Sequence, residues 1–408
     1  MSRFPLWALL GGTTISTAGT RMSQIAVPWL VLTTTHSAVD TGLVGTAEIA
    51  PYVVLQVLGA PLVDRLGGHR IAQVGNLVAA VAMGAIPLVW GTGLHQLGLL
   101  LALVFVAGLA RGPVDPAEQV LLPAVTAQAG MSIDRATALI EGSSRLGVLT
   151  GAPLAGLLIG TIGASNVVAV DAISFAVAAA LLLLVPVDAG HTGLVSPLGY
   201  RAQLGESFAF VRRHPLLRSI AVMVLFTNLA DAAMSGLFVL LWVEQHYGSA
   251  GRVGVLAAVS GLGAIVGTTI MAAVGPRLPR RWTYAATFLV AGAPRFVVLA
   301  VPVPFAVVLA VWLLAGLTSG AINPVLGAAQ FEAIPRELQA RVLAVVGALS
   351  WVGIPFGALL AGLLVNATSL TTAISVAAGL YFLATLDPVV RPAWALMERT
   401  RPAELSPL

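Results

Sequence analysis

Long apolar segments alternate with short polar segments along the whole chain. Each apolar segment is close to 20 residues or longer, which a helix needs to cross a hydrocarbon layer about 30 Å thick. The pattern predicts an all-α integral membrane protein with twelve transmembrane helices. The expected spans are 5–32, 41–63, 71–91, 97–122, 136–160, 165–186, 217–243, 253–274, 283–300, 304–330, 342–366 and 369–388.

The composition agrees with a membrane protein. Hydrophobic residues make up 58% of the 408 residues and charged residues only 9%, whereas a soluble domain is about a quarter charged. The first apolar segment continues to Leu32, which is too long for a cleaved signal peptide. Cysteine is absent, which excludes disulfides and thiolate metal ligands. We expect no cofactor and no metal.

The distribution of arginine predicts how the chain crosses the membrane. All 21 basic residues are arginine, and the loops of one side hold a single one, Arg252. Basic residues are enriched in cytoplasmic loops. We therefore expect a bacterial inner-membrane protein with both termini cytoplasmic, and we do not interpret its basic charge as nucleic-acid binding. The sixteen arginines of the other side are Arg3, Arg65, Arg70, Arg135, Arg201, Arg212, Arg213, Arg218, Arg277, Arg280, Arg281, Arg336, Arg341, Arg391, Arg399 and Arg401.

The longest connection, residues 187–216, divides the chain into two similar halves. It includes most of the segment YRAQLGESFAFVRRHPLLR, whose apolar and charged residues alternate at helical spacing. This pattern predicts an amphipathic helix on the cytoplasmic membrane surface. The expected organisation is a six-helix bundle at 1–186, this linker, a second six-helix bundle at 217–390 and a cytoplasmic tail at 391–408.

The two halves also share sequence patterns. AGLARGPVDP at 107–116 corresponds to AGLTSGAINP at 315–324, at an offset of 208 residues. GAPLAGLLI at 151–159 corresponds to GALLAGLLV at 357–365, with seven of nine residues identical. Two matches separated by nearly the same number of residues predict that a six-helix unit was duplicated. In transporters built from such repeats, the substrate binds between the two halves.

The loop after the second span carries a recognisable motif. In GAPLVDRLGGHR at 59–70, the residues Asp64, Arg65, Gly67 and Arg70 match a loop signature of the major facilitator superfamily, which the chain resembles. An acid and bases at helix ends can form a two-state latch, with Glu118 as a further partner. The alternative is that Arg65 and Arg70 only determine topology.

A second motif lies in span five. GVLTGAPLAG at 147–156 resembles the glycine-proline antiporter motif of the same superfamily, with Pro153 one position later than usual. The residues expected to pack helices there are Gly147, Gly151, Pro153 and Gly156. Other segments resemble the branch that contains siderophore exporters and macrolide efflux pumps. The resemblance implies a monomeric secondary transporter whose partners are a small molecule, protons and membrane lipid.

Charged residues inside the spans are costly, so we expect them to face the bundle interior and to serve the transport pathway. Arg111, Asp115 and Glu118 are spaced to form one stripe on span four. This stripe predicts either a lining of the water-filled cavity or an internal Arg111–Asp115 pair that only holds structure. The charged candidates are Arg21, Glu48, Arg111, Asp115, Glu118, Glu141, Arg145, Asp171, Asp231 and Arg295.

Roles can be assigned to these candidates. A buried carboxylate without a cation can take up a proton near neutral pH, so we expect Glu48 and Asp231 to carry protons. Asp115, in the charged stripe of span four, is a third expected proton-coupling residue. Expected substrate contacts are Arg21, Arg111, Arg145, Asn228 and Asn323. Glu141 and Arg145 are spaced as a helical ion pair. Asp171 is expected at the outer interface and Arg295 in a peripheral, structural position.

Several function classes can be compared at this point. The chain has no catalytic motif, no nucleotide-binding loop and no histidine cluster within its spans, so we expect neither an enzyme nor an ATP-driven pump. The leading hypothesis is proton-coupled efflux, by alternating access, of a drug, antibiotic, siderophore or similar amphiphile. A proton symporter or facilitator and a lysophospholipid translocator are the alternatives. A receptor or scaffold would not account for so many charges within the spans.

Overall fold

The fold is entirely helical. The computed structural model describes residues 3–91, 96–185, 200–335 and 338–398, and all regular secondary structure within these ranges is helix. Eleven segments are long and apolar enough to cross a membrane. The helix Phe4–Thr35 has 32 residues and is also long enough, but serine, threonine, arginine and glutamine in its middle make it less apolar. The predicted fold class is confirmed.

The helices are numbered in chain order. Those of the first half are α1 (Phe4–Thr35), α2 (Ala38–Leu58), α3 (Ala60–Leu66), α4 (Gly68–Gly91), α5 (Leu97–Arg111), α6 (Val114–Ala129), α7 (Ile133–Ile162) and α8 (Ala164–Leu182). Those of the second half are α9 (Tyr200–Arg213), α10 (Pro215–Ala233), α11 (Val239–Tyr247), α12 (Gly251–Val274), α13 (Arg280–Ala291), α14 (Ala293–Ala300), α15 (Phe305–Ser319), α16 (Ile322–Ala333), α17 (Gln339–Trp351), α18 (Ile354–Ala367), α19 (Leu370–Thr385) and α20 (Asp387–Val390).

The two copies of the AGLxxGxxxP pattern interrupt their spans at the same place. The fourth span breaks at Gly112 and Pro113, between α5 and α6. The tenth span breaks at Gly320 and Ala321, between α15 and α16. Glycine and proline disfavour a continuous helix, and the freed backbone groups need other partners. One such partner is Thr268, whose hydroxyl donates to the carbonyl of Gly320 over 3.2 Å.

The chain forms two compact units, and these do not follow the halves of the sequence. The first unit contains the described residues of the first half together with Ala232–Ala258 and Ile354–Leu370. The second contains the described residues 200–231, then Val259–Gly353 and the described residues 371–398. Two of the boundaries fall beside helix irregularities: a π-helical turn at Met234–Phe238 and a break before Ile354. Division into two six-helix bundles remains a prediction.

Glycine contacts hold the added segments in the first unit. A Cβ atom at Gly156 of α7 would lie 2.7 Å from the Cα of Gly254 on α12. A Cβ at Gly42 of α2 would overlap the backbone of α18 at Ala358, and the hydroxyl of Thr46 donates to the carbonyl of Pro355 over 2.6 Å. The helices therefore approach as closely as backbone atoms allow.

The predicted linker helix is present as α9, and one face of it packs against α17. In α9, Ser207 and Val211 are buried. This helix contacts α17, and Glu206 lies 3.7 Å from Arg341 at the start of that span. The rest of the predicted linker, residues 187–199, lies outside the described residues.

The beginning of the predicted tail is folded. Trp394 is fully buried, stacks on Tyr284 of α13 at 5.3 Å and donates its indole N–H to Asp387 over 2.7 Å. The carboxylate of Glu398 accepts bonds from the backbone N–H groups of Arg280 and Arg281, both at 3.1 Å. A carboxylate at the beginning of a helix satisfies amides that have no partner within the helix, so residues 391–398 fasten α13 to α20.

Close packing of α2 on α18 gives a stability prediction. We expect Gly42→Ala to lower the free energy of unfolding by about 1–3 kcal/mol, because the added methyl overlaps the α18 backbone. The measurement is thermal unfolding of the purified protein. Gly45→Ala is the matched control, since a Cβ there would make an ordinary 3.8 Å contact with the Cβ of Ala358. Equal stability of the two variants would contradict the contact.

Candidate functional site

The first unit contains a cluster of polar and charged side chains within its spans. Six helices contribute to it: α1, α2, α4, α5, α6 and α8. Its ionisable members are Arg21, Glu48, Tyr52, Arg111, Asp115, Glu118 and Asp171, and its neutral members are Thr13, Ser23, Gln56, Asn76 and Ser174. We call this set the charge cluster.

Arg111 lies at the end of α5, where the fourth span breaks. It is 6% exposed, and its Nη1 donates to the side-chain oxygen of Asn76 on α4 over 2.9 Å. Its Nη2 lies 3.8 Å from Asp115, and its guanidinium lies 4.9 Å from the ring centre of Phe175 on α8. Its Nε atom is buried without a hydrogen-bond partner. Contacts with three helices thus fix this cation, and its separation from Asp115 is long for an ion pair.

Asp115 begins the next half-helix, α6. The hydroxyl of Tyr52 donates to its Oδ2 over 2.6 Å, and the amide of Gln56 reaches the same oxygen at 3.5 Å. The predicted Arg111–Asp115 proximity is present, but the shortest contact of Asp115 is to α2. Tyr52 and Gln56 were missed by sequence reasoning, although they follow Glu48 at helical spacing of four residues.

Glu118 is held inside the unit. Its carboxylate accepts a hydrogen bond of 2.7 Å from Thr13 on α1, and the residue is 5% exposed. This contact differs from the predicted pairing with Arg65 or Arg70. Both arginines are exposed and form no ion pair with another described residue, and the side chain of Asp64 lies outside the described residues. Gly67, with φ of 85°, occupies a conformation that favours glycine.

Glu48 is the carboxylate in the charge cluster without a direct partner. It is 9% exposed, and no hydrogen bond or ion pair joins it to another described residue. It interacts electrostatically with Asp171 and Arg21. The backbone of α2 is fixed here, because a Cβ at Gly108 of α5 would overlap the Glu48 carbonyl. The role of Glu48 as a proton carrier stays a prediction.

Arg21 lies at the middle of α1 and is exposed, with Nη1 bonded to Gln24 over 2.9 Å. An arginine at this depth cannot face lipid at low cost, so an exposed one indicates a water-filled space. Glu141 and Arg145 on α7 are also exposed, and the predicted ion pair between them is not formed. Arg21 and Arg145 are therefore accessible candidates for binding a substrate.

The sequence suggested that Asp171 lies at the outer membrane interface, but the structure buries it between helices. It is 1% exposed and accepts hydrogen bonds from Ser23 of α1 and Ser174 of its own helix, at 2.5 and 3.1 Å. The helix begins at Ala164, about two turns before Asp171. The expected span, 165–186, starts at nearly the same residue as the observed helix, so the sequence pattern located the helix but did not show that Asp171 faces α1.

In the second unit, Asp231 forms an ion pair with Arg295, although the sequence predicted an unpaired acid. Arg295 donates to Asp231 over 2.5 Å, and the same guanidinium is hydrogen bonded to Tyr381. This triad joins α10, α14 and α19, so Asp231 is not an isolated proton carrier in this conformation. The expectation failed because Asp231 and Arg295 are 64 residues apart in sequence. The structural expectation for Arg295 agrees with this geometry.

The two asparagines of the second unit differ in accessibility. Asn228 donates to the carbonyl of Ser350 over 3.0 Å, which joins α10 to α17. Asn323 is exposed at the beginning of α16. Asn323 is therefore available to a ligand, whereas the amide of Asn228 already serves a helix contact.

The span-five motif packs helices. A Cβ at Gly147 would lie 2.8 Å from the carbonyl oxygen of Thr14, and one at Gly151 would lie 2.5 Å from that of Ala18. Gly156 meets Gly254, which also faces the carbonyl of Pro153. The motif thus fits α7 against α1 and α12.

Comparison with known proteins identifies the family. The family model described as Major Facilitator Superfamily matches residues 9–230 and also residues 220–407. The chain belongs to the major facilitator superfamily. The resemblance seen in the sequence is confirmed, and the chain is a multi-pass membrane transporter.

Relatives of this superfamily member include named transporters. The multidrug efflux pump Tap of Mycobacterium tuberculosis is 28% identical over 376 residues, covering 90% of this chain and 89% of Tap. Tap of Mycolicibacterium fortuitum is 27% identical over 375 residues, covering 90% and 91%. The crystal structure of the nucleoside transporter NupG matches with a TM-score of 0.75 and 13% identity, covering 98% of this chain and 100% of that chain. The last comparison shows the fold alone.

The different environments of two carboxylates give a second prediction. We expect Asp231→Asn to destabilise the transporter by about 1 kcal/mol, because the half-buried guanidinium of Arg295 loses its charged partner. Glu48→Gln removes no hydrogen bond or ion pair and should unfold like wild type. The measurement is thermal unfolding of both variants in one detergent. A wild-type melting temperature for Asp231→Asn would contradict a structural role for the pair.

Proposed function

We propose that this transporter exports a drug, antibiotic, siderophore or similar amphiphile across the bacterial inner membrane in exchange for protons. The observation that carries the proposal is the charge cluster, in which Arg111 and the unpaired Glu48 lie inside the spans of the first unit. Buried charges of this kind mark transport pathways. Similarity to multidrug efflux pumps over 90% of the chain supports export and the class of cargo.

Substrate binding is assigned to accessible side chains. Arg21, Arg145 and Asn323 are exposed within their spans, and Arg111 is held by contacts with three helices in the charge cluster. A guanidinium binds carboxylates, phosphates and aromatic rings. We therefore assign the substrate an aromatic ring or an anionic group for the arginines and an apolar body for the surrounding spans, and Asn228 contributes through the helix that it positions.

Proton coupling is assigned to the carboxylates of the same region. Glu48 has no direct partner and interacts electrostatically with Arg21. Binding of a substrate near Arg21 therefore changes the charge that Glu48 experiences, so proton and substrate affect each other's binding. Asp115 is assigned as a second proton acceptor, and it accepts a hydrogen bond from the hydroxyl of Tyr52. Asp231 can take part only if its pair with Arg295 opens.

Alternating access is assigned to the helix contacts. Contacts of Gly156 with Gly254 and of Gly42 with Ala358 close one end of the pathway. Asp64, Arg65, Gly67 and Arg70 are assigned to a latch that forms when the other end closes, and Glu118 can join it only if its bond to Thr13 opens. With both termini cytoplasmic, the glycine contacts lie on the outer side. In the proposed cycle the two six-helix bundles, 1–186 and 217–390, move relative to each other.

Transport in inverted membrane vesicles tests direction and coupling. Vesicles that contain the transporter should take up ethidium when their interior is acidified, and uptake should stop when an ionophore collapses the pH gradient. Vesicles from the same strain without the transporter are the control. Gradient-independent uptake would contradict proton coupling, and ethidium movement only in the opposite direction would favour the symport alternative.

A pair of carboxyl variants tests the coupling residue. We expect Glu48→Gln to bind ethidium but to lose gradient-driven uptake, because the amide cannot exchange the proton. Glu141→Gln is the matched control, since Glu141 is an exposed acid within a span and outside the charge cluster. Binding is measured by fluorescence and uptake in the same vesicles. Gradient-driven uptake by Glu48→Gln at the wild-type rate would remove Glu48 from the mechanism.

A further inference from the structure

A groove on the second unit runs between α10 and α19. It has a volume of about 240 Å³ and lies between two segments that are long and apolar enough to cross a membrane. The carboxylate of Asp387 lies at one end, and the other lining side chains are apolar. These are Val222, Met223 and Phe226 of α10, and Leu380, Leu383 and Ala384 of α19.

The groove occupies one half of the membrane thickness. α10 begins at Pro215, and Phe226 is the lining residue furthest along it. At about 1.5 Å per residue, Phe226 lies about 16 Å from Pro215. Half of a hydrocarbon layer about 30 Å thick is about 15 Å. The groove therefore matches the length of an acyl chain from one leaflet.

Helix contacts beyond the deep end of the groove hold its walls in place. Asp231 lies about 8 Å further along α10 than Phe226. It pairs with Arg295 of α14, and the same guanidinium is hydrogen bonded to Tyr381 of α19. Both walls are thus fastened to a common helix at this depth, while the side chains at the level of the groove leave a gap. A flexible apolar chain can fill that gap.

Two arginines lie at the other end of the groove. Arg218 is exposed on α10, four residues before Val222, so the two side chains share one face of the helix. It forms no ion pair with another described residue. Arg391 follows Asp387 by one turn, and 54% of its side chain is exposed. Long basic side chains at helix ends place their charge at the membrane interface.

The acid at this end does not cancel both arginines. Oδ1 of Asp387 lies 2.9 Å from Nε of Arg391, and Oδ2 accepts the indole N–H of Trp394 over 2.7 Å. Both carboxylate oxygens thus have partners. The terminal amino groups of Arg391 have none among the described residues, and the charge of Arg218 remains uncompensated. This end of the groove is therefore suited to an anion.

We propose that the groove binds one phospholipid with a net negative charge. Its acyl chain lies between α10 and α19, and its phosphate accepts hydrogen bonds from the guanidinium groups of Arg218 and Arg391. Basic pockets between transmembrane helices bind anionic lipid headgroups, and guanidinium groups fit phosphate oxygens. This site is separate from the charge cluster of the first unit, and it does not depend on the direction or coupling of transport.

A lipid held in this way supports the packing of α10 and α19. It fills a gap that the side chains leave, and a ligand that binds only the folded state stabilises that state. The melting temperature of the detergent-purified transporter should rise when phosphatidylglycerol is added. Phosphatidylcholine has no net charge and should raise it less. An equal rise with both lipids would contradict recognition of the headgroup by arginine.

The site can be mapped with a phosphatidylglycerol that carries a photoreactive diazirine on one acyl chain. After titration into the purified transporter and irradiation, peptide mass spectrometry should find adducts at 222–226 and 380–384. Arg218→Gln should raise the half-saturating lipid concentration about fivefold. Arg391→Gln should raise it at least as much, because it also frees the charge of Asp387. Arg277→Gln is the matched control, since Arg277 is exposed at the end of another span of the same unit.

A further set of variants tests the position of the acyl chain. Ala384→Leu adds bulk inside the groove and should reduce adduct formation there, whereas Ala378→Leu changes a half-buried alanine of α19 outside the groove. Leu383→Gln makes an exposed lining residue polar and should also weaken labelling, with exposed Phe382→Gln as its control. Thermal unfolding without added lipid establishes that each variant is folded. Equal labelling of the groove variants and their controls would overturn the proposal.

Competition experiments identify the occupant. Phosphatidylcholine should compete weakly with the photoreactive lipid, and inorganic phosphate should not compete, because it lacks an acyl chain. Adducts spread evenly over the spans and unchanged in Arg218→Gln would reveal only the general lipid layer and would overturn the site. Displacement by ethidium would assign the groove to a transported amphiphile, and loss of adducts in a cross-linked dimer would assign it to a second copy of the chain. Either result would also overturn the proposal.

Discussion

The constraint on which this structure depends is the cost of a charge inside a membrane-spanning bundle. Lipid offers such a group neither water nor a counter-ion, so each charge must find a partner, or water, within the protein. Arg111 finds Asn76 and Asp115, Asp231 finds Arg295, and Asp171 finds two hydroxyl groups. Arg21, Glu141 and Arg145 are exposed and form no ion pair with another described residue, and Glu48 has no direct partner among them. These side chains are therefore not used to join helices.

A second constraint is how closely the helices approach. Side chains as short as serine can reach a buried acid on a neighbouring helix only if the two backbones lie close together. Glycine permits this at Gly19 of α1, where the main chain touches Asp171 and Ser174. At Gly42 and Gly156 the same property brings helices of the two sequence halves together. Helix packing and the placement of polar groups are therefore one problem, because a change in backbone separation breaks the hydrogen bonds that the charges require.

Sequence reasoning succeeded where the signal is local. The spans follow from apolar length, and the breaks at Gly112 and Gly320 coincide with a motif repeated in the sequence. Contacts between side chains that are distant in sequence could not be predicted from local patterns. Glu118 was predicted to pair with the loop arginines because its span ends on the same side of the membrane as that loop. In the structure it accepts a hydrogen bond from Thr13 on α1 instead. Asp231 was expected to be free because Arg295 belongs to another span. A hydrophobic pattern identifies which residues lie in the membrane but not which faces meet, and the pairing of charges depends on those faces.

The repeated pattern also shows how the two halves differ. Gly108 packs on the backbone of Glu48, and its counterpart Gly316 packs in the same way on Ser260. Arg111 and Asp115 correspond in the repeat to Ser319 and Asn323. At three equivalent positions, then, the first copy has an ionisable group where the second has a neutral one: Glu48 against Ser260, Arg111 against Ser319, and Asp115 against Asn323. Both copies keep the glycine contacts and the helix break, which only packing requires. Charge at these positions is therefore not needed for the architecture, and the proton chemistry proposed for this transporter belongs to the copy that has the ionisable groups.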